Sequence, residues 1–164
     1  MREYFTEAVV LSSEPNGDLD GRFSLFTKQF GRLTAKAKSI RKITSKLSGH
    51  LQLGNHIHVR LVEKNGLQVV DALKDSSLGI SPSHLYFLNR LLAEGEPDLA
   101  VWHILISGSL RWPEILKALG WDPALASCTH CGTSSPAWFS VSSQEFFCAG
   151  CASAQPRNGI ICIE

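Results

Sequence analysis

The sequence predicts an α+β protein: a five-stranded barrel at the N-terminus, followed by a small helical region that carries a four-cysteine module. Three observations lead there. Up to about residue 75, apolar and polar residues alternate in short runs separated by Gly, Asn and Asp, the period-two pattern of half-buried strands. From residue 81 the apolar spacing changes to that of a helix. Further on, Cys128, Cys131, Cys148 and Cys151 stand as two C-x-x-C hooks separated by sixteen residues. At 164 residues the chain is longer than a single small domain and shorter than two full-sized ones. The change of period divides it into a barrel domain over 1–79 and a short helical domain over 80–164, with the cysteine module at about 125–152.

The strands are justified in order. "YFTEAVVLSS" is rich in β-branched and aromatic residues and runs into the turn cluster "EPNGDLDG"; "RFSLFTKQF" follows and stops at Gly31. In "LTAKAKS", Leu33, Ala35 and Ala37 fall on one face while Thr34, Lys36 and Lys38 fall on the other, giving a half-buried strand with a basic outer face. "HIHVRLV" alternates in the same way, with Ile57, Val59 and Leu61 inward and His56, His58 and Arg60 outward. Asn65 and Gly66 then make a tight hairpin into "LQVVDALK". Phe23, Phe26 and Phe30, at strand spacing, are expected in the core rather than as platforms for a ligand. Five strands with a polar insert, "ITSKLSGHLQLGN", between the third and fourth suit a small OB-type barrel, and the count alone also suits an SH3-like one.

Helices take over beyond residue 80. Ser81 caps a first helix that begins at Pro82, carries Leu85, Leu88 and Leu92 along one face, and ends at Gly95. A second is expected from about Pro97, with Leu99, Trp102 and Ile106 as its stripe. A third starts near Pro113, places Ile115, Leu116 and Leu119 together, and stops at Gly120. Trp102, Trp112 and Trp121 are read as packing residues. No internal repeat or low-complexity tract interrupts the chain.

Charge is distributed unevenly. The chain nets only +1, yet residues 21–75 hold eleven bases against three acids, while both flanking segments are acidic. The excess is densest in "AKAKSIRKITSK", where Lys36, Lys38, Arg41, Lys42 and Lys46 occur with no acid among them. A solvated lysine-rich surface explains such a run by itself; a polyanion partner for one face is the functional alternative. With 44% apolar residues the chain can bury a core, and no segment approaches the roughly 18 consecutive apolar residues of a membrane helix. A soluble, cytoplasmic protein is therefore expected, in a compartment where thiols stay reduced.

That compartment makes the cysteines ligands or free thiols rather than disulfides. Two C-x-x-C hooks at this separation are a recognised four-thiolate zinc pattern: each short turn aims two sulfurs at one ion, and the intervening "AWFSVSSQEFFC" can form a hairpin that brings the hooks together. Four thiolates leave no open coordination position, so Zn2+ here is expected to be structural; iron in the same sulfur cage is the alternative. Cys162, outside the pattern, is expected as a buried small apolar residue.

Catalysis has little to stand on. The chain has no Gly-rich phosphate loop, no H-E-x-x-H pair and no G-x-S-x-G elbow. Asp18 and Asp20 lie in a turn where turn chemistry accounts for them, and His56 with His58 is read as a polar strand face. No catalytic residue is assigned, and a binding protein is favoured over an enzyme.

Two stretches carry a family resemblance. "LFTKQFGRLTAKAKSIRKITSKLSGHLQ" resembles a segment of the bacterial recombination mediator family RecO, in which a strand, a glycine turn and a basic strand run into a K/R-S-K/R-L-x-G-x-L-Q element. "LGWDPALASCTHCG" and "FFCAGC" are similar to that family's two cysteine pairs and come in the same order. The resemblance covers residues 4–75 and about 115–152, and here the helical part is shorter than is usual in the family. It implies an OB-fold nucleic-acid-binding domain over 1–79 and a non-enzymatic role in recombinational repair. That role comprises binding single- and double-stranded DNA, annealing complementary strands, and working with RecR to load RecA, in the cytoplasm at the nucleoid. The family's docking of the single-strand binding protein tail is attributed to the helical part, so the shortening here puts that partner in question. Within this reading the nucleic-acid contacts fall on Lys36, Lys38, Arg41, Lys42 and Lys46, with Arg32 and Arg60 as neighbours. A zinc-containing RNA-binding or ribosome-associated factor, and an adaptor for an acidic protein, are the competing readings.

Overall fold

β1 (Arg2–Asn16) is long enough to pair along both edges, with β2 (Asp20–Thr27) on one side and β4 (Asn55–Glu63) on the other. β3 (Gly31–Ala37) pairs antiparallel with β2, and β5 (Leu67–Ser77) pairs antiparallel with β4. A short parallel contact, Lys36 with Gln68 and Ala37 with Val69, joins β3 to β5 and closes the barrel in the order β1-β2-β3-β5-β4. Closure leaves no free sheet edge. The computed structural model describes all residues from Met1 to Glu164, in two compact units, Met1–Leu99 and Ala100–Glu164.

Alternation fills the barrel as expected. Ala8, Val10, Phe23, Leu25, Ala35, Ala37, Ile57, Val59 and Leu61 are buried together inside it. β1 departs from simple alternation, because Val9 and Leu11 on its other side are buried too. The cover is α1 (Pro82–Leu91), which packs on β1. Ser81 caps it as predicted, and the helix buries Leu85, Phe87, Leu88 and Leu91. Two polar ties fix it to the barrel: the Ser24 hydroxyl donates to Asn89 Oδ1 at 2.5 Å, and Arg32 Nε donates to the Leu92 carbonyl at 2.9 Å. The first compact unit, Met1–Leu99, thus includes this helix, which covers the outer side of β1.

α1 ends at Leu91 rather than at Gly95, since the next residues run along the start of β3 instead of continuing the helix. The Gly95 N–H donates to the Arg32 carbonyl at 2.9 Å. The approach is close: Gly31, at φ +70°, has no room for a Cβ, which would run into the Glu96 backbone. Only glycine satisfies both the left-handed conformation and the contact.

The second unit contains α2 (Leu99–Ile106) from Ala100 onward, α3 (Trp112–Ala118) and a small sheet. α2 buries Val101, Trp102 and Leu105, whereas Leu99 and Ile106 are exposed, so the expected stripe of Leu99, Trp102 and Ile106 is corrected. The helix is apolar almost all round, which makes its buried face unreadable from spacing. Trp112, Ile115 and Leu116 are buried on α3. β6 (Trp138–Ser140) and β7 (Glu145–Phe147) form the predicted hairpin, followed by α4 (Ala149–Ala152) and by β8 (Ile160–Cys162), which adds to the other edge of β6. β8 corrects the expectation for Cys162. Ile161 and Ile163 turn inward and alternation turns Cys162 out, leaving it exposed opposite Trp138.

Candidate nucleic-acid interface and metal centre

β3 presents its basic side chains as the alternation requires: Ala35 and Ala37 are buried, and Lys36 and Lys38 are exposed. Lys36 stands directly opposite Arg22 of β2, which is also exposed. Arg22 lies outside the basic run of the sequence, between Gly21 and Phe23, and only the strand register brings it to Lys36.

The segment 38–54 after β3 is folded onto the barrel. Its first turn is held by Asp20, whose Oδ1 accepts the Ser39 N–H at 2.7 Å, and by the Arg41 N–H donating to the Leu19 carbonyl at 2.9 Å. Asp20 thus has the turn role expected of it. Ile40 and Leu51 are buried in the barrel core and Leu47 packs against it. Internal bonds, such as Gln52 Nε2 to the Ser48 carbonyl at 2.6 Å and Asn55 Nδ2 to the His50 carbonyl at 3.0 Å, complete the loop. Arg41, Lys42 and Lys46 are exposed on it. No carboxylate pairs with Lys36, Lys38, Arg41, Lys42 or Lys46; Arg41 reaches only the Gly17 carbonyl, at 3.4 Å.

Arg32 and Arg60 are placed differently. Arg32 is half-buried, donates to the Leu92 carbonyl and lies 4.0 Å from Glu94. Arg60 faces Glu3 at 3.8 Å, on the part of the barrel where β4 runs beside β1. Both are engaged by groups of the same chain.

His56 also departs from expectation. It is buried, with Nε2 3.0 Å from Glu7 Oε2 and Nδ1 3.2 Å from Asp75 Oδ2, while Lys28 Nζ donates to Glu7 Oε1 at 2.9 Å. The side chain points out of the barrel as alternation demands, but carboxylates from β1 and β5 close over it. The Lys28 ammonium, seconded by His56, holds the Glu7 carboxyl below its ordinary value against the opposing effect of burial. His58 remains exposed beside it, with ring centres 6.0 Å apart.

In the second unit, the two hooks converge. The four sulfurs of Cys128, Cys131, Cys148 and Cys151 lie within 4.8 Å of one another, and Cys131 Sγ is 3.7 Å from Cys148 Sγ. A tetrahedral zinc with bonds of about 2.3 Å requires sulfurs roughly 3.8 Å apart. The first hook is a tight turn in which Gly132, at φ +77°, donates its N–H to the Cys128 carbonyl at 2.8 Å. The second opens α4, where Cys148 is the N-cap and its sulfur accepts the Cys151 N–H at 3.5 Å. The hairpin sets the two against each other through Thr129 N–H to the Phe146 carbonyl at 2.9 Å.

The electrostatics of the cluster point the same way. The backbone N–H of Cys148, above all, pulls the Cys128 thiol down to about 6, and the Thr133 hydroxyl lowers Cys131. A hydrogen bond with Cys148 is the main cause that pushes Cys151 up to about 12. Thiols this close cannot all ionise unless a cation sits among them, so the donor set fits a soft divalent metal.

The fold and site thus define a class: an α+β protein with a closed five-stranded barrel, a folded basic loop, and a separate module whose four cysteines are positioned to bind one metal ion. A family profile described as "Recombination protein O N terminal" matches residues 1–77, and one described as "Recombination protein O C terminal" matches residues 113–161. Among curated relatives, a protein named DNA repair protein RecO from Nocardioides sp. is 28% identical over 180 residues, covering 90% of this chain and 74% of the relative. Another of that name, from Heliobacterium modesticaldum, is 30% identical over 155 residues, covering 80% of this chain and 57% of the relative. The chain belongs to the RecO family, and its barrel is the OB-fold that the sequence predicts.

Proposed function

We propose that this protein is a non-enzymatic mediator of recombinational DNA repair: it binds single- and double-stranded DNA, anneals complementary strands, and acts with RecR in helping RecA onto DNA covered by single-strand binding protein. The observation that carries the reading is the exposed cationic strip of Lys36, Lys38, Arg41, Lys42 and Lys46, which no carboxylate of the chain neutralises. Exposed like charges on one strand and its loop repel one another, and a sugar–phosphate backbone removes that repulsion while releasing its own counterions. Arg22 extends the strip; Arg32 and Arg60 serve the barrel's internal contacts. The metal is structural Zn2+, held by Cys128, Cys131, Cys148 and Cys151, and it orders a module whose own apolar core is small.

Salt titration of oligonucleotide binding, together with a strand-annealing assay on zinc-loaded protein, tests this. Five phosphate contacts on a single strand give a log–log salt slope of roughly −3.5, about a hundredfold loss of affinity from 50 to 200 mM salt, and a sixth through Arg22 brings it to roughly −4.2. Salt-independent binding, or no acceleration of annealing, overturns the reading. Tighter binding to RNA than to DNA of matched length transfers it to an RNA-binding factor.

A further inference from the structure

Ile43 is out of place by every rule that shaped its surroundings. The large aliphatic residues on either side of it in the turn after β3 are used for anchoring: Ile40 is buried at 8% exposure and Leu47 packs on the barrel core. Ile43, between them, is 105% exposed, more than any other large apolar side chain of the protein. It is not on a fraying end or a disordered tip, since the backbone around it is closed by the Lys42 N–H bond to Ser39 and the Ser45 N–H bond to Lys42. Its neighbours are Arg41, Lys42 and Lys46, all exposed and without an acidic partner.

We infer that Ile43 is a wedge that inserts between adjacent bases of a single nucleic-acid strand whose phosphates are held by Arg41, Lys42 and Lys46. The inference rests on the nucleic-acid reading above and adds to it a contact with the bases. Two properties of the site select this occupant. The exposed cations Arg41, Lys42 and Lys46, none with an acidic partner, repel a second copy of the same loop and attract a polyanion. A fully exposed branched aliphatic side chain flanked along the chain by such cations matches the apolar wedges that nucleic-acid-binding proteins push between base steps. A single strand is favoured over duplex because only one stack has to open there, with no complementary strand to unstack and no duplex to kink. Apolar contact with bases is independent of sequence and of counterions, which suits a protein whose basic strip reads only backbone charge.

The experiment uses the full, zinc-loaded chain and a short oligodeoxynucleotide carrying one fluorescent adenine analogue that brightens when unstacked. Wild-type protein raises the fluorescence on binding. Ile43→Ser weakens binding by about tenfold at every salt concentration, giving a parallel line in the log–log plot, and removes the fluorescence rise; Ile43→Leu retains both. Because the side chain is fully exposed, the serine variant is expected to keep the wild-type melting temperature, which is measured alongside. If Ile43→Ser binds and brightens the oligonucleotide as wild type does, the wedge is wrong while the phosphate-binding reading survives. If wild type binds no oligonucleotide at low salt, both fail. Binding to anionic phospholipid vesicles that Ile43→Ser abolishes, with oligonucleotide binding unchanged, assigns the side chain to a lipid surface and overturns the inference.

Discussion

Arg22 on β2 and Lys36 on β3 are directly opposed in the strand register, and both are exposed. Opposed like charges on one sheet face are unfavourable by some tenths of a kcal/mol. The pair therefore costs the free protein something that a bound polyanion returns. Arg22→Thr should raise the melting temperature slightly, or leave it unchanged, while flattening the salt slope of single-strand binding by about 0.7. Thermal melts and salt titrations on the one variant measure both; a slope that stays at its wild-type value removes Arg22 from the interface.

The folded loop makes a sharper forecast than composition does. Lys38→Ala, Arg41→Ala and Lys42→Ala combined should flatten the slope by about two units without loss of the fold. Arg60→Ala, at a site already facing Glu3, should leave the slope unaltered. Equal effects from the triple variant and from Arg60→Ala would mean that diffuse charge, not the strip, governs binding.

Metal removal should act locally. Trp138 is half-buried and packs, as Cys148 and Cys151 do, against the module's buried cluster of Cys128, Phe147, Ala152 and Ile160. A chelator strong enough to take zinc, or the substitution Cys128→Ser, should shift tryptophan emission to longer wavelength. In the variant the zinc content should fall from about one equivalent per chain to none. Zinc that stays bound to Cys128→Ser at full occupancy would contradict a four-cysteine site.

The Lys28, Glu7 and His56 cluster sets an acid limit on the barrel. The Glu7 carboxyl titrates lower in the folded chain than its ordinary 4.5, chiefly because of Lys28. A group depressed by folding contributes stability that is complete above its unfolded value and disappears as pH falls through the folded one. Wild type should therefore lose urea resistance on acidification through that range more steeply than Glu7→Gln, which lacks the titrating group. Parallel pH profiles for the two proteins would show that Glu7 contributes nothing to the acid limb.

Gly31→Ala tests the junction of β3 with the residues after α1. The new Cβ meets both a left-handed φ and the Glu96 backbone, so a loss of at least about 2 kcal/mol is expected in denaturant unfolding. A loss no larger than a few tenths of a kcal/mol would mean that the 94–96 segment moves away freely.

Reading along the chain determined whatever depends on local period and covalent spacing. Alternation in "LTAKAKS" put Lys36 and Lys38 outside and the alanines inside, Ser81 and Pro82 marked a helix start, and the hook spacing designated four sulfurs for one ion. These are short-range consequences of backbone geometry, so the sequence contains them directly.

Only the tertiary structure decided which charges are free. Arg32 and Arg60 look no different from Lys36 in the sequence, yet each meets an acid or a carbonyl brought from a distant element, as His56 meets Glu7 and Asp75. The same holds for Arg22 beside Lys36, for the helix that covers the outer side of β1, and for the outward turn of Cys162. Pairing across strands and burial by a remote helix are set by register and packing over long sequence separations, and no local pattern encodes them.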